Sequence, residues 1–238
     1  MKKPLLIIKN LNVRLGEEEI LQGIDLEILP GRIVALVGPN GSGKTTLLNV
    51  ISGFIPDFRG EILFKDQPLR GLQPYEIALL GIVRMFQVVR IFPELKVEDH
   101  LALVLEDNTQ ESLRRAFLGR SDLKVLRDRI YKLLKVVGLS DKIQERALTL
   151  SHGQKRLLEM ARCLAQEGYL YLFDEPTAGV FTEVRKKLKE LWIALKARNR
   201  SILLVEHNLE VVREVADEVI LLENGRIQFK GAPQEVSL

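Results

Sequence analysis

Apolar and polar residues alternate along Leu5–Val13, and again at the end of the next segment, where Ile24, Leu26 and Ile28 are separated by Asp25 and Glu27. A period of two is what a strand with one buried face requires, so both segments are expected to be strands. Arg32–Val37 is different. After the arginine it is apolar without a break and stops at Gly38, which suits a strand buried on both faces of a parallel sheet. Lys44–Ser52 then reads as a helix with Gly53 as its stop. A short strand is expected at Glu61–Lys65, after a turn at Gly60.

From about Arg90 to Leu157 the strand pattern gives way to helical spacing. Leu123, Leu126, Ile130, Leu133, Leu134 and Val137 form a stripe between charged residues. The alternating and continuous apolar patterns then return. Tyr169–Phe173 and Ser201–Val205 read as buried strands, Thr182–Arg198 as a helix with Val184, Leu188, Leu191 and Leu195 on one face, and Leu209–Ala216 as a helix capped by Asn208. Val219–Leu222 and Arg226–Phe229 flank Asn224-Gly225, a strong hairpin signal. The expected class is α/β in a single domain over 1–238, with a core from 1–89 and 158–238 and an inserted helical segment at 90–157.

Composition narrows this little but excludes several classes. The chain has 238 residues, of which 46% are hydrophobic, enough for a sizeable core and too many for a disordered chain. A formal net charge of +3 does not call for a nucleic-acid partner. A single cysteine, Cys163, excludes an internal disulfide framework. No apolar run reaches the roughly 18 residues of a membrane span. The basic start, Met1-Lys2-Lys3, is followed by an apolar run too short for a secretory leader.

The candidate chemistry begins at Gly38-Pro39-Asn40-Gly41-Ser42-Gly43-Lys44-Thr45, followed by Thr46. Glycines here let backbone N–H groups turn inward as a nest for phosphate oxygens, and the helix that follows adds its positive end. Lys44 is expected on the terminal phosphates and the Thr45 hydroxyl on Mg²⁺. The strand expected before this loop and the helix after it are the context the motif needs. Tyr169–Phe173 runs into Asp174 and Glu175. Asp174 is expected in the Mg²⁺ shell, and Glu175 to polarise an attacking water. The two motifs together indicate a P-loop NTPase. Leu150-Ser151-His152-Gly153-Gln154 opens a further helix, where Ser151, Gly153 and free N–H groups make a second anion site. Two such sites suit a dimer with nucleotide between the loop of one chain and this helix of the other.

In this order the motifs resemble those of ABC transporter ATPase subunits over essentially the whole chain. The resemblance implies an N-terminal antiparallel β part, a parallel-sheet core and the helical insertion. It makes Gly38–Thr45 the Walker A loop, Tyr169–Glu175 Walker B, and Leu150–Gln154 the signature. It also implies that Gln87 is the Q-loop residue, touching Mg²⁺ and water, and that His207 contacts the γ-phosphate. Phe86–Pro93, Leu150–Lys155 and Glu175–Val180 resemble the branch that imports branched-chain amino acids, urea and amides. The implied cofactors are ATP and Mg²⁺. The implied partners are a second ATPase subunit (identical or a paralogue), transmembrane permease subunits and an extracytoplasmic solute-binding protein, with the chain on the cytoplasmic face of the membrane.

Three residues depart from the family pattern. Leu15 stands where an aromatic residue often stacks on adenine. Phe181 stands where the D-loop usually carries an acid or amide. His152 replaces the first signature glycine. A soluble ABC ATPase of the iron–sulfur assembly type carries the same motifs, and a nucleotide-binding regulatory subunit without turnover would be compatible with the departures.

Overall fold

The computed structural model describes residues 3–107 and 120–236. The chain divides into two compact units, one of Met1–Gln87, Gly168–Pro176 and Lys189–Leu238, the other of Val88–Glu167 and Thr177–Leu188. The helix at His152–Ala165 lies wholly in the second unit, where the sequence pattern had suggested a boundary after Leu157. It stays there because it packs on the other helices of that unit.

In the first unit the described strands form two sheets. β1 (Leu6–Leu15) pairs antiparallel with β2 (Glu18–Ile28), which continues the alternation back to Glu18. β3 (Ile33–Val37) and helix α1 (Lys44–Ile51) follow, then β4 (Arg59–Phe64) and the two-residue β5 (Gln67–Pro68). The first sheet has the order β2-β1-β4-β5. Its buried face carries Leu6, Ile8, Leu11, Ile24, Leu26, Ile28, Ile62 and Phe64.

Helix α2 (Pro74–Leu79) and strand β6 (Ile82–Met85) add two elements that the hydrophobic pattern did not mark. The second sheet is completed by β7 (Leu170–Asp174), β8 (Ser201–Val205), β9 (Glu218–Glu223) and β10 (Arg226–Gly231), in the order β10-β9-β3-β8-β7-β6. Every residue of β3, β7 and β8 is buried, which explains their unbroken apolar runs. β9 and β10 are joined at Asn224 and Gly225, with φ of 49° and 71°. Two consecutive positive φ values are what a two-residue hairpin turn demands, and Asn-Gly tolerates them best.

The parallel register decides where the chemistry sits. Met85 lies opposite Phe173, Asp174 opposite Val205, and Val37 opposite Leu221. The carboxyl ends of β3, β6, β7 and β8 therefore share one edge of the sheet. The Gly38 loop, Gln87, Glu175 and His207 all follow from that edge, the place where open α/β sheets bind ligands.

The second unit is built on α3 (Val97–Asp107), α4 (Arg120–Val137) and α5 (His152–Ala165). Its core includes Val97, Leu101, Ile130, Leu134, Val137, Leu158, Met160 and Ala161. The stripe read along α4 is buried at Ile130, Leu134 and Val137, half-buried at Leu126 and Leu133, and exposed at Leu123. Cys163, on α5, is buried. Helix α6 (Thr182–Ala197) continues from this unit into the first, and helix α7 (Leu209–Val215) follows β8. Among the described residues no helix is long and apolar enough to cross a membrane.

Candidate nucleotide site

A cleft of about 630 Å³ opens at the sheet edge, lined by Asn40, Gly41, Gly43, Lys44, Thr45, Thr46, Gln87, Glu175 and His207, with Glu18 and Ile20 at one side. The loop before α1 takes its shape from glycines. Gly38 has φ of 145°, and a Cβ there would lie 2.0 Å from the Leu222 carbonyl oxygen. Gly43 caps α1 at φ of 103°, with Leu21 2.7 Å from where a Cβ would be. No side chain caps α1, so its first N–H groups face the loop, as an anion-binding helix start requires.

Lys44 is buried, and its ammonium donates to the carbonyls of Gly38 at 2.8 Å and Pro39 at 2.7 Å. Burial pushes its pKa below the ordinary lysine value, while Glu175 and Asp174 push it back up. Ser42 is buried in the same turn, and Pro39 and Asn40 are exposed on its outer side.

The acids diverge although they are adjacent. Asp174 is buried: its Oδ1 accepts from the Thr45 hydroxyl at 3.4 Å, and its Oδ2 accepts from Arg84 Nη2 at 2.8 Å. Burial raises its pKa; the Arg84 charge and the Thr45 hydrogen bond oppose that, and Glu175 adds to it. Glu175 has a φ of 47°, a left-handed backbone rare for a residue with a side chain. Its carboxylate bridges two groups, accepting from Gln87 Nε2 at 3.0 Å on Oε2 and meeting His207 Nε2 at 2.9 Å on Oε1. Gln87, Glu175 and His207 thus form one chain of contacts at the mouth of the cleft. Arg84 is the residue that sequence reasoning missed, and the signal was a lone charge inside the apolar run Ile82-Val83-Arg84-Met85.

The remaining candidates lie elsewhere. Leu15, at the end of β1, is 45% exposed and is not among the lining residues; its cross-strand partner Glu18 is. In the second unit Ser151 caps α5. Its Oγ accepts from the Gln154 backbone at 3.3 Å, and the Gln154 side chain accepts from the Ser151 backbone at 2.9 Å. Gly153 sits where a Cβ would lie 2.9 Å from Val184 Cγ2. Phe181, in the same unit, is 81% exposed.

Comparison with known proteins settles the family. The model of the ABC transporter family matches residues 21–178. The chain belongs to the ABC transporter ATP-binding family. It is 35% identical over 242 residues to the high-affinity branched-chain amino acid transport ATP-binding protein LivG of Escherichia coli K12, covering 99% of this chain and 94% of that protein. It is 30% identical over 241 residues to BraF of Pseudomonas aeruginosa, described in the same terms, with the same coverage. Among solved structures, an ATP-binding cassette of an ABC transporter in its ADP conformation superposes with a TM-score of 0.83 at 30% identity, over 97% of this chain and 92% of that one. A nucleotide-free ABC cassette matches with a TM-score of 0.83 at 31% identity, with the same coverage. This family member is therefore a nucleotide-binding ATPase subunit of a transporter, with the ABC cassette fold.

Proposed function

We propose that this chain hydrolyses ATP at the Gly38–Thr46 cleft to power uptake of branched-chain amino acids or a related small polar solute. The observation that carries the site assignment is the Gln87–Glu175–His207 chain at the mouth of a phosphate-loop cleft. The loop amides, Lys44 and the α1 N-terminus receive the phosphates. Lys44 exchanges its carbonyl partners for phosphate oxygens. Glu175 takes a proton from the attacking water while Gln87 and His207 fix its two oxygens. In this reading His207, a lining residue of the cleft, also contacts the terminal phosphate. Glu18 and Ile20, at one side of the cleft, offer the adenine a contact without π-stacking.

Thr45 Oγ1 and Asp174 Oδ1 are hard oxygen donors on one side of the loop, and they fit Mg²⁺ held jointly with phosphates. Among the described residues no group of three or more His, Cys, Asp or Glu is placed to hold a metal ion. Bound there, Mg²⁺ would neutralise charge developing on the phosphates.

The second anion site, at Ser151, Gly153 and Gln154, serves a partner's nucleotide in a head-to-tail dimer, identical or paralogous. Gln154 leaves its capping bond to do so. Permease subunits and a solute-binding protein complete the transporter, which places the chain at the cytoplasmic face of the membrane. The solute class is supported by what LivG and BraF are described as serving. Cells lacking this chain should lose high-affinity uptake of labelled leucine, isoleucine and valine. Uptake at the parental rate would remove that assignment while leaving the ATPase in place.

A further inference from the structure

β6 is a short strand with one charged residue, and the fold places that residue on the acid that ends β7. Arg84 and Asp174 form an ion pair whose side chains are only 6% and 2% exposed. The guanidinium also reaches Asn49 Oδ1 of α1 at 3.4 Å and lies 5.4 Å from the Phe86 ring. The two oxygens of Asp174 are thus divided. Oδ2 faces a fixed cation, and Oδ1 faces the Thr45 hydroxyl.

Burying such a pair brings little stability over an apolar pair of similar volume, whereas leaving the carboxylate alone would be severe. An aliphatic residue would have suited the strand better. What an aliphatic residue lacks is a permanent positive charge beside Asp174, present before any nucleotide arrives.

We propose that Arg84 is a resident counter-cation of the nucleotide site. It orients Asp174 so that Oδ1 points to Thr45, and it compensates the Asp174 charge in the nucleotide-free chain. A divalent cation consequently adds less to nucleotide affinity than it would beside uncompensated carboxylates. Arg84 is a positioning residue, acting through Asp174. The inference rests on reading Thr45 and Asp174 as the Mg²⁺ side of the site.

The test is the ratio of ATP dissociation constants in EDTA and in excess Mg²⁺, measured by calorimetry on the full chain, on Arg84→Gln and on Arg84→Lys. Glutamine keeps a donor for Asp174 without the charge; lysine keeps the charge without the planar fork. The ratio should rise about tenfold in Arg84→Gln and stay within about threefold of the parent in Arg84→Lys. Equal ratios in the parent and Arg84→Gln overturn the proposal, as does an equal rise in both variants. A parent whose affinity ignores Mg²⁺ instead refutes the underlying reading of Thr45 and Asp174. Should Arg84→Gln unfold in EDTA, Mg²⁺ added in the presence of ATP must raise its melting temperature more than it raises the parent's. A melting temperature unmoved by Mg²⁺ overturns the proposal.

Discussion

Glu175 is held by two neighbours on two different oxygens, and its left-handed backbone is what turns it toward them. Replacing it with glutamine keeps the size and a hydrogen-bonding group but removes the base. Glu175→Gln should bind ATP as the parent does and turn over about 100-fold more slowly or worse, read by calorimetry and phosphate release. Gly38 tests the loop itself. Gly38→Ala would drive a Cβ into the Leu222 carbonyl at a φ that favours glycine. It should lose ATP binding and several degrees of melting temperature. That the Gly38–Thr45 loop, Asp174 and Glu175 would meet at one sheet edge was legible in the sequence because each stretch is marked by local spacing. Arg84 was not, because its meaning comes from Asp174, 90 positions away. At Ser151 and Gln154 the sequence left a helix cap and an anion site as alternatives, since both use the same residue types, and the capping box is what the structure shows.

Among the elements, α5 does more than present Ser151, Gly153 and Gln154 at its start. Glu159 Oε1 accepts from the Arg90 backbone at 2.7 Å, and Arg162 Nη1 donates to the Arg90 carbonyl at 2.5 Å. The buried His100 of α3 accepts from the Phe92 backbone at Nε2, 3.0 Å away, and meets the Lys96 carbonyl at Nδ1, 2.8 Å away. Both bonds are satisfied by the neutral ring with its proton on Nδ1. Burial depresses the His100 pKa below its ordinary 6.5; the Lys96 carbonyl and Asp99 act against this, and Arg162 adds to it. The unfolded chain therefore takes up the proton first. The stability His100 contributes is complete above pH 6.5 and is lost as pH falls from there through its folded pKa. His100→Asn should flatten that part of the melting-temperature profile between pH 7 and 5; an unchanged slope would contradict this account. Long or strongly patterned elements such as β3, β7, β8 and the Asn224-Gly225 hairpin were visible in the sequence. β6 and α2 were not: four and six residues are too few to show a period, and α2 is marked mainly by Pro74 and the Gln73–Glu76 capping box.

At the scale of the whole molecule, the register of one parallel sheet turns four separate stretches of sequence into one site. Its edge collects the Gly38 loop, Gln87, Glu175 and His207, and a shift of one residue in any strand would scatter them. The fold also settles how the chain meets thiol reagents. Burial pushes the Cys163 thiol up to about 12, so almost no thiolate exists at neutral pH and little of the sulfur is reachable. The folded chain should ignore maleimide at pH 7 and react only after denaturation, which mass spectrometry would show directly. Since the sequence holds one cysteine, the native chain behaves as a cysteine-free background. A cysteine installed at the exposed Phe181 would then be a single labelling position, and spin or fluorescence distances between two such labels would test whether the proposed pair of subunits forms, without any prior engineering of the core.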